Sequence, residues 1–519
     1  MRSCSKSNIR APRWRGALTG ILLLVAGVLA GCATSPTANS GTQDSYAVGQ
    51  VAPINTLNPF PWSNSNRAWL RALYDPLVSV DSAPGGQAAP AAGRLATSWE
   101  VSPDGRVYTF HLRPGLKFSN GRPFDAQAVA DMIHWSAKPE NKVSSVELFA
   151  ATKAEVVDSL TIRMSNPQPT PQLLSTLALT PILDATDPKI VSAPSGIGAY
   201  QVGNLAPNYQ LTLTRNDDYW DKQSAGRYRE VRVRVYQDAS AANAALSSGQ
   251  IDALAFPSFA QLPPLKKQGA TVTAEAPAGN FVIQVNVKSG AVANPDVRRA
   301  LSASLNRAAF VQVAGGGVSQ PDCSVYPPGS SVYTQEAGNG CSFDPDAAKA
   351  LLARAGYPSG LTLTLTMSSS FYPELATFAP IWKDDLAKIG VTLQLSDVSA
   401  TDLATHEQNH DYQLVTDFYA WGNVDPAQLF SSGHFRPASN ISLFSPPEYA
   451  RMVTDAQGTL DPAQRTRKYQ ELNQYMMDQA FIIPIATRPF VYVSRQGSPA
   501  PKIDPNGMVA WTTMGPGRQ

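Results

Sequence analysis

Short stretches of period-two hydrophobicity alternate with helical ones from residue 106 to residue 494, and this alternation restricts the chain to a layered α/β architecture. Arg106 to Leu112 predicts a half-buried strand, entered through the turn signal Pro103-Asp104-Gly105. Further strands are predicted over Gln210 to Thr214, Glu230 to Tyr236, Phe281 to Val287, Leu361 to Met367, Val391 to Leu395, Tyr412 to Thr416 and Phe490 to Ser494. Helices are predicted between them. Asp125 caps one whose apolar face carries Ala126, Ala128, Val129, Met132 and Ile133. Others cover Ser240 to Ser248, Asp296 to Ala309, Asp344 to Ala355, Leu375 to Ile389 and Pro462 to Ala480. Gly249, Gly356 and Gly390 stand where three of these helices should stop. No repeat of fixed period is visible.

The first 32 residues set the compartment. Arg2, Lys6, Arg10, Arg13 and Arg15 precede a 14-residue apolar run, Ala17 to Ala30, which closes on Leu29-Ala30-Gly31-Cys32. A stable membrane span needs about 20 apolar residues, so this run predicts a cleaved secretory signal over residues 1–31. The Leu-Ala-Gly-Cys ending resembles the bacterial lipobox, which makes Cys32 the expected lipidation site and the new N-terminus. Residues 32–45 are small and polar and predict a flexible tether. The chain has 42 Lys and Arg against 40 Asp and Glu; five basic residues and no acidic ones lie in the leader, so the remainder carries a net charge of −3. That balance excludes a nucleic-acid partner read from basic surplus. No later apolar run reaches spanning length. At 519 residues and 43% hydrophobic content, two or three domains are expected.

Two cysteines remain beyond Cys4 and Cys32. Cys323 and Cys341 lie 18 positions apart around a loop rich in Pro, Gly, Ser and Tyr. Outside the cytoplasm this pair is expected to be a disulfide, the alternative being two separate buried thiols.

Several blocks together resemble a known family. Leu95-Ala96-Thr97-Ser98-Trp99-Glu100-Val101-Ser102-Pro103-Asp104-Gly105 runs into Tyr108-Thr109-Phe110-His111-Leu112-Arg113-Pro114-Gly115-Leu116-Lys117-Phe118 and on to Asn120-Gly121-Arg122-Pro123-Phe124. Gly196-Ile197-Gly198-Ala199-Tyr200, Arg215-Asn216-Asp217-Asp218-Tyr219-Trp220, Ser248-Gly249-Gln250-Ile251-Asp252, Asp296-Val297-Arg298-Arg299-Ala300-Leu301 and Ile482-Ile483-Pro484-Ile485 follow in order. The ordered set is similar to the family 5 solute-binding proteins of ABC importers, the oligopeptide, dipeptide and nickel binders. The resemblance implies a two-lobed periplasmic-binding-protein-like α/β fold of class II (cluster C), with an extra subdomain inserted in lobe I. It implies lobe I from residues 46–64, 191–277 and 487–519, the inserted subdomain from 65–190, and lobe II from 278–486. The chain would cross between lobes near Ala276–Asn280 and Pro484–Pro489. Function follows as expectation: a monomeric, extracytoplasmic receptor, held to the membrane by its lipid, that captures a short peptide or similar small solute and passes it to a permease with separate ATPase subunits. Hinge closure around the ligand needs no cofactor.

The cargo is read at Asp417-Phe418-Tyr419-Ala420-Trp421-Gly422-Asn423-Val424-Asp425-Pro426, expected at the cleft edge after the strand Tyr412 to Thr416. Family members often read Trp-Gly-Ala-Asp-Tyr-Pro-Asp-Pro here, and in oligopeptide binders the first aspartate pairs with the peptide ammonium. This chain is two residues shorter, so Asn423 or Val424 falls at that position and Asp425 matches the second, turn-forming acid. A neutral Asn gives up the charge-assisted part of such a contact. Trp421 is the leading contact candidate, because an indole offers a flat stacking face. Tyr419, Asn423 and Asp425 come next, and the resemblance adds Asn440 and Ser442 as polar pocket residues. His434 would be the contact to a nickel or other metal chelate; opine-like ligands are a further alternative.

One rival comes from another class. His406-Glu407-Gln408-Asn409-His410 matches H-E-x-x-H, the zinc metalloprotease pattern, which needs both imidazoles on one helical face. A strand is predicted two residues after His410, so the supporting helix would end at the metal, and no third ligand or cofactor is assigned. There is no Walker A sequence and no G-x-S-x-G.

Overall fold

A computed structural model describes residues 44–60, 63, 65–79, 92–275, 277, 279–420, 425–504, 506–512 and 514. The leader, Cys32 and most of the tether lie outside these residues. The chain forms β1 (Ser45–Gln50), β2 (Val78–Ser79), β3 (Ala92–Gly93), β4 (Ala96–Val101), β5 (Val107–Leu112), β6 (Lys153–Asp158), β7 (Thr161–Ser165), β8 (Tyr200–Ala206) and β9 (Gln210–Arg215). It continues with β10 (Glu230–Val235), β11 (Ala253–Ala255), β12 (Thr271–Ala274), β13 (Gly279–Val285), β14 (Leu361–Met367), β15 (Val391–Asp397), β16 (Leu414–Ala420), β17 (Ile482–Thr487) and β18 (Val491–Ser494).

Two mixed sheets dominate. The first runs β12-β18-β11-β1-β10-β9-β8 and the second β15-β14-β16-β13-β17. A four-stranded antiparallel sheet, β4-β5-β7-β6, is built from chain inserted between β1 and β8. The chain leaves the first sheet after β12, enters the second at β13, and returns between β17 and β18. Both crossings sit at paired strands, because β12 lies beside β18 and β13 beside β17.

Local chemistry fixes many of the helices. Carboxylates of Asp125, Asp238, Asp344 and Asp461 accept the backbone N–H three residues on, and helices begin at Ala126, Ala239, Pro345 and Pro462. Gly390 has φ +88°, the left-handed turn that lets Pro373–Lys388 stop and β15 start at once. Two expectations need correction. The helix predicted over Asp296 to Ala309 is two, Pro295–Ala303 and Arg307–Ala314, because Asn306 accepts Ala309 N–H at 3.0 Å and starts the second. The strand predicted over Tyr412 to Thr416 is Leu414–Ala420: pairing with β13 continues to Gly279–Ala420, so Asp417 to Ala420 belong to the sheet.

The inserted sheet is tied to the first lobe by a buried polar hub. Asp75 accepts Arg94 Nη2 at 2.9 Å, the Tyr219 hydroxyl at 2.7 Å and Trp220 Nε1 at 2.9 Å. Arg113 and Arg94 also lie over the Trp220 ring, at 4.2 and 5.0 Å from its centroid. The family blocks around Arg94, Arg113 and Trp220 thus meet in one place. Cys323 and Cys341 are bonded, with Cα atoms 5.9 Å apart. Asp75→Ala would leave the Tyr219 hydroxyl and the Trp220 indole N–H without their acceptor and Arg94 with only Asp221 as an acidic partner among the described residues, 3.7 Å away, so a loss of about 3 kcal/mol is expected in urea unfolding.

Candidate functional site

A cavity of about 160 Å³ opens where the inserted region meets the second sheet. Phe60, Arg67 and Asn506 wall it from the first-sheet side, and Val143 to Ser145, Thr176 and Thr180 from the insert. Ala420, at the end of β16, and Gln428, Ser431 and Ser432, on the turn Pro426–Ser431, close it from the other. The two sides touch nearby: Arg436 Nε lies 3.2 Å from Glu147 Oε1. The lining is mixed and holds unspent polar atoms. Gln428 Oε1, Asn506 Oδ1 and Arg67 Nε are buried and have no hydrogen-bond partner among the described residues. Such atoms cost free energy until a ligand or water meets them.

The strands bring the crossing close to this space. At Gly279 an added Cβ would stand 1.6 Å from Tyr419 O, so only glycine lets β13 approach β16 there. Ala420, paired with Gly279, then reaches the cavity wall.

The residues singled out from sequence separate into two groups. Trp421 and Asn423 lie outside the described residues, directly after Ala420. Tyr419, Asp425, Asn440 and Ser442 are described and buried, and their polar atoms are engaged by the protein. Tyr419 donates to Val325 O and presents its ring to the edge of Phe435 at 4.9 Å. Asp425 receives Ala427 N–H and both Nη atoms of Arg465, at 3.0 and 2.8 Å, fixing the turn that carries Gln428. Asn440 bonds Arg436 O and the backbone of Phe444. Ser442 donates toward Gln284 Oε1 and Phe481 O. Sequence reasoning missed Arg67, Thr176, Gln428 and Asn506. They come from four distant segments and carry no local spacing that would unite them.

The H-E-x-x-H segment does not form a zincin face. Its helix is Ala400–Asn409, and His410 is the left-handed cap with φ 54°. His406 Nδ1 meets Asp411 O and His410 Nδ1 meets Ile441 O, each at 2.9 Å. Glu407 Oε1 has no hydrogen-bond partner among the described residues. Burial, then the charge of Asp417, pushes the Glu407 carboxyl up to about 8. Asp417 accepts Tyr372 hydroxyl at 2.9 Å and lies 2.7 Å from His434 Nε2, so His434 is held by a carboxylate within its own lobe.

Comparison with known proteins agrees with this architecture. Residues 91–440 match the model of the bacterial extracellular solute-binding proteins, family 5. The glutathione-binding protein GsiB of Salmonella paratyphi A is 28% identical over 459 residues, spanning 84% of this chain and 88% of that protein. Among solved structures, the periplasmic binding protein DppA from Helicobacter pylori in complex with the peptide STSA superposes with a TM-score of 0.77 at 21% identity, covering 90% of this chain and 96% of that one. NikA from Brucella suis in complex with Fe(III)-EDTA gives 0.78 at 22% identity, covering 91% and 100%. The chain belongs to family 5 of the bacterial extracellular solute-binding proteins, whose two-lobed members bind solutes rather than transform them. No helix among the described residues is long and apolar enough to cross a membrane.

The raised Glu407 carboxyl carries a definite sign. The folded state holds its proton up to about pH 8, while the unfolded chain releases it near 4.5. This contribution is complete below about pH 4.5 and lost as the pH rises to 8. Glu407→Gln is expected to raise the melting temperature at pH 9 relative to the parent and to leave it unchanged at pH 4, read by differential scanning calorimetry.

Proposed function

We propose that this protein is a lipid-anchored receptor of an ABC importer, which captures a short peptide or similar amide-rich solute between its lobes and hands it to a membrane permease. The observation that carries the reading is the interlobe cavity, whose buried Gln428 Oε1, Asn506 Oδ1 and Arg67 Nε have no hydrogen-bond partner among the described residues. Atoms of both kinds suit a ligand that carries N–H donors and oxygen acceptors together, as peptide units do. The names of the relatives, one a glutathione-binding protein and one solved in complex with the peptide STSA, support the same class. Closure is favoured only by contacts that the ligand makes with both sides, and this cavity is walled from both. Cys32 is the proposed lipid site, and domain limits at 277/278 and 486/487 place the hinge on the two crossings.

Within the site, Trp421 is proposed to stack on the ligand and Asn423 to hydrogen-bond it from the segment that follows Ala420. Tyr419, Asp425, Asn440 and Ser442 form the scaffold behind that segment. Native mass spectrometry of the purified protein should show a small co-purifying solute. Thermal-shift screening of di- to pentapeptides should then find a ligand that adds about 2.7 kcal/mol at 100 times its dissociation constant. X-ray scattering showing no compaction with any bound solute, and no solute in the native spectrum, would sink the proposal. Trp421→Ala is expected to weaken binding about tenfold, the equivalent of about 1.4 kcal/mol, without lowering the melting temperature of the free protein.

A further inference from the structure

Between the helices Arg307–Ala314 and Gln335–Gly338, residues 315–334 form neither strand nor helix. Irregular backbone has no ladder to set its position, so its individual bonds must do so. This strip is nevertheless covered where it passes the second sheet: Asp322, Ser324, Val325 and Tyr326 are fully buried. It touches both crossings. Gln320 donates its N–H to Thr487 Oγ1 at 2.9 Å and accepts Thr487 N–H at 2.8 Å, and Pro321 bridges Ala486. Asn280, at the start of β13, donates Nδ2 to Asp322 Oδ2 at 3.0 Å and to Ser324 O at 2.7 Å.

Two further bonds reach the cavity wall from either flank. The Tyr419 hydroxyl donates to Val325 O, and Tyr419 is followed by Ala420, which lines the cavity. The Tyr326 hydroxyl donates to Pro426 O at 3.2 Å, at the head of the turn whose Gln428 and Ser431 line it. Adjacent residues of one strip thus hold both described flanks of that wall.

The strip is itself held by the disulfide. Cys323, 3% exposed, sits among these bonds and is joined to Cys341. Cys341 stands three residues before Asp344, whose N–H donates to Ala303 O at 2.9 Å and whose carboxylate caps the helix Pro345–Arg354. Arg354 ties that helix to Asp296 on the helix Pro295–Ala303, at 2.7 and 2.8 Å. The bridge therefore fastens the strip covalently to a packed pair of helices. Beside it stand hydrogen bonds alone: Cys323 N–H to Gly338 O at 3.0 Å, and Val325 N–H and the Ser324 hydroxyl to Asn473 Oδ1 at 3.1 and 3.3 Å.

Resting on the receptor reading above, we propose that the Cys323–Cys341 bridge is a positioning element of the binding site: intact, it sets the strip that fixes the cavity wall, and reduced, it leaves a folded protein whose wall no longer holds a ligand. Capture is then confined to an oxidising compartment. The chemistry is exchange with a dithiol. One thiolate attacks the sulfur of Cys341, the half-buried partner, forms a mixed disulfide and releases Cys323 as a thiolate that takes up a proton. The second thiol then displaces Cys341, so two electrons and two protons pass to the protein and the reductant leaves as a disulfide. Gly340, beside Cys341, lines a cavity of about 380 Å³ with Thr334 and Glu336, which gives a small dithiol its approach.

The test compares the oxidised full chain with the chain reduced by dithiothreitol, peptide mass confirming Cys323 and Cys341 as free thiols. Reduction is expected to weaken trialanine binding about tenfold in calorimetry, and reoxidation to restore it. It should also speed amide exchange in β16 and the turn Pro426–Ser431, while the sheet β4-β5-β7-β6 exchanges as before. Tyr326→Phe, with the bridge intact, is expected to weaken binding about threefold, as for one lost hydrogen bond. A staple acting only on the unfolded chain would lower the melting temperature and leave affinity and native-state exchange alone. That result overturns the proposal, and so does loss of structure across the whole chain on reduction, or a bridge that dithiothreitol cannot reduce in the folded protein. If trialanine fails to bind even the oxidised chain, the peptide reading falls while exchange still decides the bracing: local acceleration upholds it and no change overturns it.

Discussion

The pairing of β13 with β16 and β17 holds the rest in place. β13 opens at the outgoing crossing, runs antiparallel to β16 without a register break from Gly279–Ala420 to Val285–Leu414, and on its other side receives β17, the strand from which the chain returns. One strand therefore fixes where the polypeptide enters the second lobe, where it leaves, and where the segment carrying Trp421 begins. The close approach at Gly279 makes this possible. The backbone of β16 occupies the space where any other residue would place its Cβ.

Much of the fold was legible because it is written in local chemistry. The caps Asp125, Asp238, Asp344 and Asp461 and the stop at Gly390 act within a turn of their own positions, and the strands near residues 107, 210, 361 and 391 show their alternation directly. The failures have a common cause. The extension of β16 to Ala420 is decided by a partner 141 residues earlier, Gly279, and the break at Asn306 by a side chain choosing a cap over helix continuation. Neither leaves a trace in the periodicity.

The binding region was legible only as an address. Resemblance pointed to the segment after β16, and described residues on either side of it, Ala420 and Gln428, line the cavity. It did not distinguish side chains that face a ligand from those that hold the loop. Asp425 illustrates the difference: its two bonds to Arg465 and one to Ala427 make it the brace of the turn that presents Gln428. Arg67, Thr176, Gln428 and Asn506, far apart in sequence, meet only at the cavity wall, so nothing short of the folded chain could group them.

The hub at Asp75 has a mechanical consequence. By fastening Arg94, Tyr219 and Trp220 to one carboxylate, it welds the four-stranded insert to the first sheet. Were the lobes to turn about the crossings, Ser144 and Ser145 on the cavity wall would be carried along with the insert. Loosening that weld would free the insert from the first sheet without touching either crossing between the sheets.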